Sequence, residues 1–312
     1  MTAGPAKAGA VKVGRVTVEL SHTEKVLFPG DNITKGDLVA YYQRAAEVML
    51  PWLRDRPVAM RRYPDGITAQ GIFQKNVPHY FPDWITRAEV PKQGGSLQQV
   101  VCDKPATIVY LANQACIEFH AFLSRLDRID DPDQVIFDLD PPDANRFGDV
   151  RTIALRLRQL LEDELGLTTF VKTTGGKGLH VHVPLNATAD FDTAREFTQE
   201  VAALLAARNP DLATTEQRRD KRGDLIYLDV MRNSYAQLAV APYSVRARPG
   251  APVATPLNWD EVNDKLRPGQ FTITTVPDRI SDLGRNGDPW AGMGRRGSGL
   301  TRAQERLRQL TA

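Results

Sequence analysis

At residues 134–143 the chain reads Q-V-I-F-D-L-D-P-P-D, an apolar run that carries two acids one residue apart and then breaks at Pro-Pro. No other feature limits the fold as tightly. Side chains at i and i+2 of a strand share a face and lie roughly 6.5–7 Å apart along it, so Asp138 and Asp140 converge. Two ionised carboxylates so placed repel, and one pKa rises unless something positive joins them. A divalent metal, an Arg or Lys partner, or a phosphoryl-transfer site with one Asp as nucleophile would each meet that need. The plain alternative is a strand end fraying into water at Asp-Pro-Pro.

The surrounding pattern alternates strands and helices. Strands are expected at VTVEL, PVAMRRY and GIFQK, the last two joined by turn chemistry at Pro64-Asp65-Gly66. Thr34 with Asp37 matches a capping box before the helical run DLVAYYQRAAEVMLPWL. Ile108, Leu111, Ala112, Ala115 and Phe119 fall near one helical face, which predicts a helix from Pro105 to about Phe122. Next come VIFDLD, a helix over 149–165 capped by Asp149 and stopped at Gly166, and then TFVKT, a glycine loop and LHVHVPL. A helix over 190–208, the strand DLIYLDV and an irregular Pro-rich stretch from Pro242 to Pro256 complete the pattern. The class is α/β or α+β, two lobes in one compact unit, with no linker at which to cut it.

Residues 1–13 are small and basic and read as a flexible tail. Of the 312 residues, 42% are hydrophobic and 25% charged, which suits a globular protein and excludes disordered or collagen-like chains. No apolar run reaches the roughly 18 residues of a membrane span, and the start lacks a signal-peptide core, so a cytoplasmic protein is expected. Cys102 and Cys116 form neither a CxxC pair nor a Cys/His cluster, and two buried thiols are expected. The net charge of +2 is too small by itself to indicate nucleic acid, but its distribution is uneven. RRDKR at 218–222, RAR at 246–248 and Arg295, Arg296, Arg302, Arg306 and Arg308 form local basic clusters.

A third acid, Asp229, ends the apolar run Leu225–Leu228. Two strands that deliver carboxylates to their ends can hold two hard cations about 3.5–4 Å apart, the arrangement used for in-line displacement at phosphorus. Between them lies K172-TTGGKGLHVHV, where Gly175, Gly176 and Gly178 permit close backbone approach and amides aimed at an anion, and Lys177 offers a point charge. The order of residues is not that of a Walker A loop. His180 and His182 share one strand face and suit either a ligand contact or a half-exposed sheet.

Together FDLDP, TTGGKGLH, LDVMRN and APYSVRARPGAPVATPL resemble the polymerase domain of bacterial ATP-dependent DNA ligase D, within the archaeo-eukaryotic primase superfamily. EKVLFPGDNITK, MRRYPDG and IEFH match in the same order, so the resemblance covers about residues 16–290. It implies a primase-like catalytic core with an RRM-like sheet and an N-terminal α/β lobe. That domain would span 14–295, followed by a basic segment at 296–312. The implied activity is template-dependent nucleotidyl transfer, with ribonucleotides preferred, in short-gap filling and non-homologous end joining. Two Mn2+ or Mg2+ ions would serve each active site.

By position, Asp138 and Asp140 would bind both metals and Asp229 would complete the site. Lys177, with Thr174, Gly175 and Gly176, would hold the triphosphate, assisted by Arg61, Arg246 and Arg248. His120 would lie against the sugar. Lys25 and Lys35, with His22, would take the 5′-phosphate across a gap. Phe73, with Lys75 nearby, would stack on the template base, and Arg222 would serve end alignment. The pattern departs at Ile72, where a second aromatic is usual, at His22 in place of asparagine, at Thr174 and Gly176 in place of serines, and at Val230-Met231-Arg232, which replaces a tryptophan-containing segment.

Gapped or broken DNA with a 5′-phosphate and NTP or dNTP are the implied partners. A separate ATP-dependent ligase and Ku would join them in a bacterial, nucleoid-associated setting. The chain would be either an excised domain or a stand-alone primase-polymerase. Two rivals are weighed beside it. A haloacid-dehalogenase-type phosphatase would use Asp138 as nucleophile, but Pro142 occupies the motif position that takes Thr or Val. A non-catalytic DNA-end-binding protein would lack a metal carboxylate, and all three are present.

Overall fold

Thr34 starts the longest helix, Lys35–Leu53, as its capping pattern predicts: its hydroxyl takes the Asp37 amide while the Asp37 carboxylate takes the Thr34 amide. The computed structural model describes residues 9–312, with the side chains of 284–286 left aside. Two compact units emerge. The first takes the described residues up to Ala121, with Val240–Ala254 and Phe271–Asn286; the second takes Phe122–Ala239, Thr255–Gln270 and Gly287–Ala312.

In the first unit an antiparallel sheet runs in the order Cys116–Phe122, Pro57–Arg62, Gly95–Val101, Arg87–Lys92, with Ile72–Gln74 also paired to Pro57–Arg62. Leu38, Tyr42 and Met49 of the long helix join Ile108, Leu111, Met60 and Phe119 in one buried cluster. The Tyr42 hydroxyl donates to Ile117 O and accepts from Val245 N, so this buried polar atom is satisfied on both sides.

The helix expected to reach Phe122 stops at Asn113. Ala115 turns into the left-handed region at φ +57°, and Cys116–Phe122 is a strand. The helical spacing of Ala115 and Phe119 competes there with a period-2 pattern that sets Glu118 and His120 on one face and Ile117, Phe119 and Ala121 on the other. Pairing with Pro57–Arg62 decides for the strand. Residues 9–13, expected in the tail, form a strand paired with Val16–Leu20; residues 1–8 lie outside the described residues. Cys102 and Cys116 are both buried, as expected.

The second unit holds a six-stranded sheet in the order Ala213–Thr214, Ile226–Asp229, Gln134–Asp140, Leu179–Pro184, Phe170–Thr173, Pro256–Leu257. Its helices include Phe147–Gln159, continued by a π turn over Leu160–Glu164, and Phe191–Arg208, capped by Asp190. Asp149 is not the cap expected of it. It lies in the first turn and pairs with Arg146 at 2.9 Å, while Gly166 ends the helix at φ +74° as predicted. The basic C-terminal segment forms the helix Thr301–Thr311 in this unit. Among the described residues no helix is long and apolar enough to cross a membrane.

Candidate functional site

The strand Gln134–Asp140 is central in its sheet, antiparallel to both neighbours. Asp138 lies directly opposite Asp229 on one side and His180 on the other, and Lys172 lies opposite His180 one strand further on. Residues opposite one another in a ladder share a face. One transverse row therefore reads Asp229, Asp138, His180, Lys172, with Asp140 two residues along on the same face. This row keeps Asp138 and Asp140 on one face, as their period-2 spacing predicts, and sets Asp229 beside Asp138.

The row is electrostatically uneven. Asp138 Oδ2 meets His180 Nε2 at 3.3 Å and Arg232 Nε at 3.4 Å. Burial alone would raise the Asp138 carboxyl, but His180, Arg232 and Lys172 hold it well below the usual range. Burial, and after it Lys172, push the His180 imidazole below its ordinary value against the pull of Asp138. Asp140 and Asp229 are instead raised, first by burial and then by Asp138, with Lys177 and Arg222 relieving Asp140 and the Met231 amide relieving Asp229. Two of the three carboxylates thus lack full neutralisation.

An all-oxygen donor set of this kind fits hard divalent cations. Among the described residues no three His, Cys, Asp or Glu side chains are drawn together closely enough to hold an ion. Asp138 Oδ2 faces His180 and Arg232 here. Raised carboxyls must lose their protons to bind a cation, so affinity falls as pH falls through their raised pKa values. We expect Mn2+ to raise the thermal midpoint more at about pH 7.5 than at about pH 5. Equal shifts at both pH values would contradict this reading of Asp140 and Asp229.

The glycine loop lies against the same strand. Gly175 is left-handed at φ +65°, and Lys177 Nζ donates to Pro142 O at 2.6 Å and stands 4.0 Å from Asp140. The amides expected to aim at an anion are partly used within the loop, because Thr174 Oγ1 accepts from Gly176 N and Gly178 N. Thr174 is thereby the residue that shapes the loop. Arg222 has local partners as well. Its guanidinium stacks 3.6 Å over Tyr227 and donates to Glu216 O and Gln217 O, which ties it to its own loop.

In the first unit Phe73, Arg61 and Glu118 stand opposite one another across three strands. Buried Glu118 gathers the cations around it. Oε2 meets His120 Nε2 at 2.9 Å and Arg61 Nη1 at 3.7 Å, while Oε1 meets Arg246 Nε at 3.3 Å and Ala247 N at 3.0 Å. Burial would raise its carboxyl, yet the His120 bond and Arg246 hold it well below the usual range. Arg248 follows on the same turn, its amide donating to Arg246 O. Phe73 is half exposed with its ring edge-on to His120 at 5.6 Å, and Lys75 lines a shallow hollow beside it.

Lys25 and Lys35 are also brought together, Lys35 N donating to Lys25 O, with His22 O accepting from Lys25 N. Their side chains differ. Lys25 is exposed and pairs with Asp65 at 2.9 Å, whereas Lys35 is buried, donates to Ser21 Oγ, and is lowered in pKa by burial.

Sequence reasoning missed Glu118, Lys172, Arg232 and Asn233. Asn233 donates to and accepts from the Ile136 backbone, which seats the turn that carries Arg232 to Asp138. The available signal was an acid alternating with apolar residues in CIEFHAF.

Comparison with known proteins follows the same lines. The family model described as LigD, primase-polymerase domain, matches residues 34–290. The bifunctional non-homologous end joining protein LigD of Bacillus subtilis is 34% identical over 268 residues, covering 86% of this chain and 43% of that protein. The multifunctional LigD of Mycolicibacterium smegmatis is 33% identical over 273 residues, with 86% and 35% covered. The chain spans between 34% and 43% of the length of these curated relatives and their counterparts. Among solved structures, the polymerase domain from Mycobacterium tuberculosis ligase D in complex with DNA superposes with a TM-score of 0.82 at 30% identity. That match covers 90% of this chain and 99% of that one.

Proposed function

This chain belongs to the LigD primase-polymerase domain family, and on that premise we propose that it is a template-dependent nucleotidyltransferase. It extends a primer 3′-hydroxyl, preferentially with ribonucleotides, in short-gap filling or non-homologous end joining. The observation that carries this reading is the ladder that sets Asp138 opposite Asp229 with Asp140 on the same face. Two divalent cations, Mn2+ or Mg2+, held by these aspartates would stabilise charge on the attacking and leaving oxygens at phosphorus.

The 3′-hydroxyl oxygen bonds to the α-phosphorus as the bond to pyrophosphate breaks. Lys177 offsets charge on the departing phosphates, as do Arg61 and Arg246, and Arg248 adds to the local positive field. His120 contacts the sugar, and Thr174 with Gly175 and Gly176 keeps Lys177 in place. Phe73 stacks on a template base, a contact worth about 1–3 kcal/mol in single-strand binders, and Lys75 attends its phosphate. Lys25, Lys35 and His22 receive the 5′-phosphate of gapped DNA. Arg222 supports end alignment through its loop. A separate ATP-dependent ligase and Ku are the repair partners in the bacterial cytoplasm. The DNA term weakens with salt, since phosphate contacts dominate it.

The test offers gaps of one to several nucleotides, with and without a 5′-phosphate, and ribo- or deoxynucleotides with Mn2+ or Mg2+. Templated extension with ribonucleotides favoured is expected; its absence on every substrate overturns the proposal. In the same assay Lys25→Ala should lose the response to the 5′-phosphate while keeping simple extension. Its exposed pair with Asp65 contributes little to stability, so a folding defect will not confuse the result. Equal loss on both substrates would remove Lys25 from that pocket.

A further inference from the structure

Glu118 is an acid in the middle of an apolar strand, with a side chain only 2% exposed. Burying a carboxylate is costly unless it is paired and hydrogen-bonded, and here each oxygen has two partners. One oxygen meets Arg246 and the Ala247 amide; the other meets His120 and Arg61. Of these, His120, Arg61 and Arg246 are residues to which the functional reading gives nucleotide contacts. Even with the imidazole neutral, two guanidiniums against one carboxylate leave an excess positive charge, so the cluster still attracts an anion.

We propose that Glu118 is the positioning residue for nucleotide binding. It touches no substrate itself, and it fixes the orientation of His120, Arg61 and Arg246 so that their remaining groups meet the triphosphate and the sugar. The inference rests on the functional reading above and deepens it. Its physical basis is pre-organisation: a guanidinium held in one geometry loses less freedom when an anion binds.

The isosteric Glu118→Gln variant separates positioning from bulk charge by sign. Losing a negative charge makes the cluster more positive, and a purely electrostatic role would tighten triphosphate binding. An amide offers one oxygen and one NH2, so one of the two pairs of donors faces a donor in place of an acceptor. Positioning is then lost and binding weakens.

The experiment measures UTP binding to the full chain with Mn2+ by calorimetry, alongside primer-template binding and steady-state extension. E118Q should bind UTP roughly tenfold more weakly and raise KM by a similar factor, with primer-template affinity changed less than about twofold. E118D keeps the charge but shortens the reach by one methylene, and should show the same weakening should E118Q be too unstable to assay. UTP binding by E118Q that equals or exceeds that of the parent overturns the proposal, as does parent-like binding by E118D. A parent chain that binds no UTP at all refutes the functional reading instead.

Discussion

Asp138→Asn and Asp229→Asn should each reduce primer extension on the order of 10³-fold, because in the proposed mechanism each would remove a metal ligand where charge develops at phosphorus. Their effects on stability should have opposite signs. Asp138 is held below the usual carboxylate range, so its ionised form contributes stability that is present at neutral pH and lost as pH falls through its folded pKa. Its removal takes from the part-exposed Arg232 and the buried Lys172 the charge that faces them, which lowers stability. Asp229 is raised, so ionising it costs stability as pH rises through its folded value. An asparagine there keeps an acceptor for the Met231 amide and relieves the repulsion from Asp138. The thermal midpoint without metal should therefore drop for D138N and hold or rise for D229N, while both lose extension. Full extension in either variant would remove the two-metal proposal, and a large drop in midpoint for D229N would contradict the electrostatic account of the row.

The reason one acid stabilises and its neighbour does not was only partly legible in the sequence. Period-2 spacing placed Asp138 and Asp140 on one face, and the apolar run before Asp229 marked a second strand. The partners depend on register, which arises from pairing across the sheet. Thus Lys172, 8 residues before His180, becomes its cross-strand neighbour only because two strands turn back at the glycine loop. Arg232 reaches Asp138 because Asn233 ties its turn to Ile136, 97 residues away in sequence. Glu118 was hidden by a different error. A helical reading through Phe122 scattered Glu118 and His120 over a helix surface, while the strand aligns them on one face with Arg61 opposite Glu118. The capping box at Thr34 and the stop at Gly166 depend on nearby residues alone, and both hold.

Gly178→Ala should destabilise the second unit and disable the Lys177 loop together. A Cβ at this position would lie 2.3 Å from Leu139 O, a backbone atom that cannot swing aside as a side-chain tip could. Leu139 is paired to Leu179 on one side and Leu228 on the other, so the strand between Asp138 and Asp140 is held from both edges. The loop must give way instead. Its displacement breaks the bonds between Thr174 and Gly178 and shifts Lys177 from its seat beside Pro142 and Asp140. Overpacking of this kind costs about 1–3 kcal/mol. The denaturation midpoint should fall, and KM for the nucleotide should rise in whatever fraction stays folded. Gly148→Ala is the matched control. It lies in the helix Phe147–Gln159, where a new Cβ would meet only an Arg151 nitrogen at 3.7 Å, and alanine favours the helix. Its midpoint should hold or rise with KM unchanged. Parent-like stability and KM in G178A would mean that the contact with Leu139 does not set the loop, and Lys177 would then need another source of order.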